Sequence, residues 1–475
     1  MKRILGLALI GLTLLNCSNR NSNCGSAFFG GEVINPNNDH LILYDSSQVV
    51  DTLYLDENNR FSYSFENLEP GLFSFVHGGE YQVVLVEPSD SIMIRLNTFD
   101  FDESLVFSGK GSKKNNFLLE LFIEIERKNR PMYEMGKDLP PDEFVKVLDS
   151  MRDERRSKLE YFNSKYPVSP LFEKVSNAGI DYDYFAHKEI YPFRHFGKKY
   201  TSYDMLPEGY FNFRTEINYD DEDLKDFYPY YNFLFPHFNN LAMKRYIDIT
   251  RDTLFNRHSV HYNMSKLLLI DSLIGNESVK NNLLKYSTRN FLSNSSSPEE
   301  CDAIYTSFIQ KCSNSEFSDY ITDFYKTLKK LRPGEPFPEL ELVNAKNEVL
   351  PIHQMINGPT VVYFWTKANK MHASDSHAKV RALKDQYPNV RFISVNVNAQ
   401  KFSSWRRMLD QNNFNKQHEF MLKNPENAVK NLALYNIYKA MSVGNNMMII
   451  HPNINLFRSE ADRLIADLSN SASYK

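Results

Sequence analysis

Between Ala27 and Ser108 the apolar positions come in short runs. They read "HLILYD", "VVDTLYLD", "RFSYSFENL", "GLFSFVHG", "YQVVLVEP" and "SIMIRLN". β-Branched and aromatic residues dominate them, and turn formers separate them, as at Asn35-Pro36-Asn37-Asn38 and Glu69-Pro70-Gly71. Strands at roughly 8–12-residue spacing predict a sandwich or barrel. From Lys113 to Leu331 the apolar spacing becomes helical, as in "NNFLLELFIEIERK" and "DEFVKVLDSMRDERRSKLEYFNSKYP". Pro140-Pro141-Asp142-Glu143 predicts a helix start, with proline in the first turn and acids at the positive end of the helix. Ser293 to Pro298 reads as a loop, and Glu299 begins another helix. The aromatic-dense stretch from Phe227 to Asn240 reads as helices packing rings together.

"KKLRPGEPFPELELVNAKNEVLPIHQM" carries Pro333, Gly334, Pro336 and Pro338 and reads as a linker into a new domain. Beyond it strands and helices alternate. "PTVVYFW" precedes a helix around Ser374 to Gln386, and "VRFISVNVN" precedes one around Ser403 to Asn412. A short strand near "HEFML" precedes one around Asn427 to Tyr435. "NMMIIHP" and "NINLFRS" then predict an antiparallel hairpin, and a last helix covers about Glu460 to Leu468. Alternation of this kind predicts a sheet with a parallel core. The fold class is therefore multidomain. An all-β sandwich (27–112) is followed by an α-helical region (113–331) and a C-terminal α/β domain (332–475).

The first residues change the picture of location. Lys2-Arg3 precede an apolar run from Ile4 to Leu15, too short for a stable membrane span. That pattern predicts a secretory signal over 1–16. Cys17 follows the run directly and resembles the cysteine of a bacterial lipobox, with Leu14 at the usual −3 position and Asn16 departing from the usual small residue at −1. The resemblance implies a lipid on Cys17, a linker over 17–26, and attachment to the outer membrane on its periplasmic face. Ordinary cleavage to a soluble periplasmic protein is the alternative. Each acyl methylene would add ~0.8 kcal/mol of membrane affinity.

Composition adds exclusions. The 475-residue chain is 42% hydrophobic and 14% aromatic with a net charge of −4, so a packed core is expected. With no dominant basic run, nucleic acid is not an expected partner. The cysteines are Cys17, Cys24, Cys301 and Cys312. Cys301 and Cys312 fall in one helical pattern, which would hold them ~16 Å apart and unable to pair.

Several of these segments together resemble a known family. The "PGEPFPELEL" approach, the "VVYFW" strand, "FISVNVN" with "SSWRRML" after it, and "MMIIHPNINL" are similar to the TlpA/ResA-type thioredoxin-like family. The N-terminal strands, with "GGEVIN", "DTLYLDENNRFSYSF", "LVEPSDSIMI" and "FSGKGSKKNNFL", resemble the small β domain that precedes such domains in exported lipoproteins of Bacteroidetes-type bacteria. The resemblance implies a C-terminal thioredoxin-like fold and thiol-disulfide exchange through Cys-x-x-Cys at the first strand-to-helix junction. A helix N-terminus stabilises the attacking thiolate there. The corresponding residues here are Asn369, Lys370, Met371 and His372, none of which can exchange a disulfide. The family also places a cis-proline before the hairpin strand, and the resemblance puts that position at Asn445 or Asn446.

Other chemistry is thin. His372 and His377 stand at i,i+5, which splays them by roughly 140° on a helix, a poor metal pair. Ser374 and Asp375 suit a helix cap, so this stretch reads as a solvated helix N-terminus. Asp220-Asp221-Glu222-Asp223 reads as a solvated charge run. No G-x-S-x-G, H-E-x-x-H or P-loop is present. The expectation is a cell-envelope lipoprotein with a redox-inactive thioredoxin-like domain, no cofactor, and an envelope protein or peptide as partner. The alternative is an envelope oxidoreductase working through Cys301 or Cys312.

Overall fold

The structure is a computed structural model that describes residues 25–45, 48–197, 200–252, 254–295, 297–366, 369–398 and 402–471. The expected signal, Cys17 and Cys24 lie outside them. The chain divides into two compact units. One holds residues 1–195 with Glu222–Phe233, the other Phe196–Asp221 with Leu234–Lys475. The helical segment is thus shared between the units and does not form a third body.

In the first unit, β1 (Gly25–Ile34), β4 (Arg60–Leu68), β7 (Ser91–Asn97) and β8 (Val106–Lys110) form a sheet in the order β4-β1-β7-β8. The second sheet has the order β3-β2-β5-β6, from β2 (His40–Asp45), β3 (Gln48–Tyr54), β5 (Gly71–His77) and β6 (Glu80–Val86). Strand β7 alternates buried Ile92, Ile94 and Leu96 with exposed neighbours, the period-2 signature of a sheet with one covered face. The two inner faces meet as a sandwich. Phe29 lies 5.6 Å from Phe75, and Phe65 lies 4.9 Å from Phe73, centroid to centroid. Gly31 permits the close β1–β7 approach, since a Cβ there would stand 2.4 Å from the Ile94 carbonyl oxygen.

After the short helix α1 (Phe101–Ser104), α2 (Ser112–Asp138) closes the sandwich with two asparagines. Asn115 accepts from the Leu85 amide at 2.7 Å and donates to its carbonyl at 2.9 Å. Asn116 does the same for Phe107 at 3.0 and 2.9 Å. Each side chain supplies the pairing that a strand would otherwise seek from another chain. Helices α3 (Pro141–Lys165) and α4 (Pro170–His195) pack on α2, joined by Arg155, whose guanidinium reaches Glu124 at 3.1 Å and Asp183 at 2.5 Å. Proline does open α3, as the sequence predicts.

Helix α5 (Tyr228–Thr250) carries the aromatic-dense stretch, and Tyr230, Phe233 and Phe238 are buried. In the second unit follow α6 (Val260–Leu273), α7 (Glu277–Asn294), α8 (Pro298–Lys311) and α9 (Ser315–Lys329). Asn276, Ser297 and Asn314 cap the last three. Cys301 and Cys312 are free thiols, the first buried inside α8 and the second half-buried at its C-cap. The acidic run is not simply solvated. Asp221 is buried, and the Asp220 carboxylate accepts from the Gly275 and Asn276 amides at 2.6 and 2.8 Å.

The C-terminal sheet has seven strands. They are β9 (Glu341–Asn344), β10 (Val349–Pro351), β11 (Thr360–Trp365), β12 (Arg391–Asn396), β13 (Glu419–Leu422), β14 (Lys439–Val443) and β15 (Ile449–Asn455). Their order is β10-β9-β13-β12-β11-β14-β15. Strand β11 runs parallel to β12 and antiparallel to β14, which pairs antiparallel with β15. Helices α10 (Lys370–Gln386), α11 (Phe402–Gln411), α12 (Pro425–Asn431) and α13 (Glu460–Ser471) connect or follow them. The expected linker is partly sheet, because β9 and β10 form a hairpin within it. The expected hairpin also moves. "NMMIIHP" and "NINLFRS" supply the single strand β15, and its partner is the earlier segment Lys439–Val443.

Candidate functional site at the β11–α10 junction

All six residues of β11 are buried, so the strand ends abruptly at a fully buried Trp365. The chain re-emerges at Asn369, whose side-chain oxygen accepts the His372 amide at 3.0 Å and starts α10. Asn369 is therefore the helix cap, and Ser374 and Asp375 sit exposed inside the helix. Lys370 and Met371 point to solvent, Met371 being 74% exposed.

His372 is not solvated. Its side chain is 4% exposed, and its Nε2 meets the Ser376 hydroxyl at 3.2 Å. Tyr438 stands edge-on to its ring at 4.7 Å, with Phe457 at 5.9 Å. Burial pulls its pKa below the usual histidine value, partly opposed by Asp375. A helix N-terminus also disfavours positive charge, so His372 is read as a neutral ring at pH 7. Asn445 and Asn446 do not precede the strand that pairs with β11. They lie in the turn between β14 and β15. The residues directly ahead of β14 are Asn436, Ile437 and Tyr438, and the described peptide bonds are trans.

His377 faces elsewhere, as its i,i+5 spacing requires. Its Nδ1 donates to the Ala373 carbonyl at 2.6 Å, and its Nε2 lies 3.0 Å from Glu419 Oε1. Ser394 donates its hydroxyl proton to the other Glu419 oxygen at 2.7 Å. The imidazole stacks on Phe414 at 3.6 Å, with Trp365 edge-on at 5.4 Å. His377 Nε2 and the Ser394 hydroxyl each hold one Glu419 oxygen, so every polar atom of the group is paired. This buried triad ties α10 to β12 and β13. Glu419, Ser394 and Tyr438 carry no sequence motif, which is why a linear reading passes over them. Among the described residues no group of three or more His, Cys, Asp or Glu side chains could hold a metal ion, and no helix is long and apolar enough to cross a membrane.

Cys301 lines a separate cavity in the second unit, with Arg332, Ala433, Lys439 and Pro452. Burial pushes its thiol upward, away from the thiolate that exchange requires.

Strand order and direction define the C-terminal domain as thioredoxin-like: a parallel β12–β11 pair continued by the antiparallel β14–β15 hairpin, with helices between. No protein-family model and no curated protein matches the chain. Among solved structures, a thiol-disulfide oxidoreductase from Bacteroides fragilis is similar over 29% of this chain and 99% of its own, at 14% identity and a TM-score of 0.25. The thioredoxin domain of a thiol-disulfide oxidoreductase from Bacteroides vulgatus matches over 29% and 98%, at 9% identity and a TM-score of 0.26. A thiol:disulfide interchange protein from a Bacteroides species matches over 30% and 95%, at 12% identity and a TM-score of 0.25.

Proposed function

We propose that this chain is a cell-envelope lipoprotein whose thioredoxin-like domain binds a protein or peptide without exchanging disulfides. One observation carries the reading. At the strand-to-helix junction where the family would hold its dithiol, Asn369 is spent on capping and a buried His372 is covered by Tyr438. The sequence after Cys312 contains no cysteine, so the domain has no thiol of its own. Tyr438 and Phe457, which pack on His372, are each about two-fifths exposed, and Lys370 and Met371 in the same first turn of α10 are exposed as well.

The test is an insulin-disulfide reduction assay on the purified protein and on a Cys301→Ala/Cys312→Ala variant. The reading expects no turnover from either. Turnover by both would sink it. Turnover lost only in the variant would favour an oxidoreductase acting through one of those thiols. The anchor has its own test: incorporation of a clickable fatty acid, expected for the native chain and absent in Cys17→Ser.

A further inference from the structure

The first unit contains an apolar cavity that the thioredoxin-like reading does not use. It has a volume of about 210 Å³, room for a slender aliphatic chain. Its apolar lining includes Val83 of β6, Leu118, Leu121, Phe122 and Ile125 of α2, and Phe227. Gly179 lies within α4, where glycine costs ~1 kcal/mol relative to alanine. A Cβ there would stand 3.1 Å from Leu121 and 3.4 Å from the Phe227 ring, so the glycine keeps α4 close to both.

The polar part of the lining is of one sign. Glu80, Asp102 and Glu126 face the cavity together with Tyr81, Gln82 and Tyr228, and none of the described residues lining it is Lys or Arg. Gln82 and Tyr228 fix two of the carboxylates: Gln82 donates to Asp102 at 3.0 Å, and the Tyr228 hydroxyl donates to Glu126 at 2.7 Å. Asp102 is held above the usual carboxylate range first by burial and then, against the Gln82 bond, by Glu103, Glu80 and Glu126. An organic cation would relieve that repulsion, and the faces of Tyr81 and Tyr228 would add cation–π attraction.

We infer that this cavity binds an amphipathic organic cation, an apolar body ending in an ammonium group, with the body on Leu118, Leu121 and Phe227 and the charge among Asp102, Glu126 and Glu80. This inference is independent of the C-terminal domain. An anion of the same shape would meet the same apolar walls with the opposite electrostatic sign, so charge selectivity is its signature.

The experiment is calorimetric titration of the full chain with nonylammonium, nonanol and nonanoate, each below its aggregation limit. Saturable binding of the cation is expected, roughly tenfold or more tighter than nonanoate. Asp102→Asn/Glu126→Gln, which alters no buried apolar contact, should bring cation and anion within about threefold while leaving nonanol unchanged. Val83→Trp, at the cavity wall on β6, should weaken all three ligands. Equal affinity for cation and anion in the native chain, or no saturable binding, would overturn the inference. So would charge selectivity that survives in the double variant.

Discussion

The ring of Tyr438 stands edge-on to the imidazole of His372, 4.7 Å away at 84°, and ties the residue ahead of β14 to the first turn of α10. That contact supplies part of the burial that lowers the His372 pKa. Replacing Tyr438 with alanine should let water reach the ring, and the pKa should climb back toward the ordinary value of about 6.5. Ring-proton NMR across pH 4 to 8 reads this directly. A pKa that stays low in Tyr438→Ala would mean the cover comes from Phe457 and the helix alone.

The same turn predicts a stability effect. Asn369 holds the His372 amide, one of the orphan donors at the start of α10. Asn369→Ala should cost about 1 kcal/mol, while Asn369→Asp should keep the cap and gain from a negative charge at a helix N-terminus. Urea denaturation followed by tryptophan fluorescence suits the measurement, because both tryptophans, Trp365 and Trp405, are buried in this domain. An alanine variant as stable as the aspartate one would show that the cap is unimportant.

These two residues also show where the sequence was legible. The strand and helix periods located β2 to β7 and the long helices, because those elements have a wetter and a drier face, while β11, buried along its whole length, was marked by its continuous apolar run. Strand β14 has no such signal. All five residues of "KAMSV" are buried, including a lysine, so neither alternation nor an apolar run marks it. Without β14 the hairpin shifts by one strand, and the position ahead of it falls on Asn445 and Asn446 instead of Tyr438. The burial of His372 and His377 was hidden for a related reason. Their partners Tyr438, Ser394 and Glu419 are 17 to 66 residues away, and a linear reading sees only the polar neighbours on α10.

Glu419 and His377 pair at 3.0 Å in a buried site. Glu419→Ala leaves the imidazole Nε2 and the Ser394 hydroxyl without their acceptor, and breaking a buried pair in this way costs about 3–5 kcal/mol. Glu419→Gln should cost clearly less, because its amide can donate to a neutral His377 while its oxygen still accepts from Ser394. Equal losses in the two variants, measured by the same urea titration, would mean that shape alone matters at this position.

The lysine concealed in β14 gives a pH signature. Lys439 is buried, its ammonium donates to the Leu432 carbonyl at 2.7 Å, and burial lowers its pKa to about 7. An unfolded lysine keeps its proton up to about pH 10.4. Between pH 7 and 10 the unfolded state therefore binds more protons, and stability should rise with pH across that window. Below pH 7 both states hold the proton and the full penalty persists, on the order of 3–5 kcal/mol if the linkage is complete. Lys266 in α6, also lowered to about 7 by burial, contributes in the same direction. Lys439→Met should be more stable than the native chain at pH 6.5, with the advantage shrinking steadily toward pH 10. Lys266→Met serves as the parallel case, so that the two slopes can be separated. A Lys439→Met advantage that stays constant with pH would show that the ammonium finds enough polar company in the fold to remain charged.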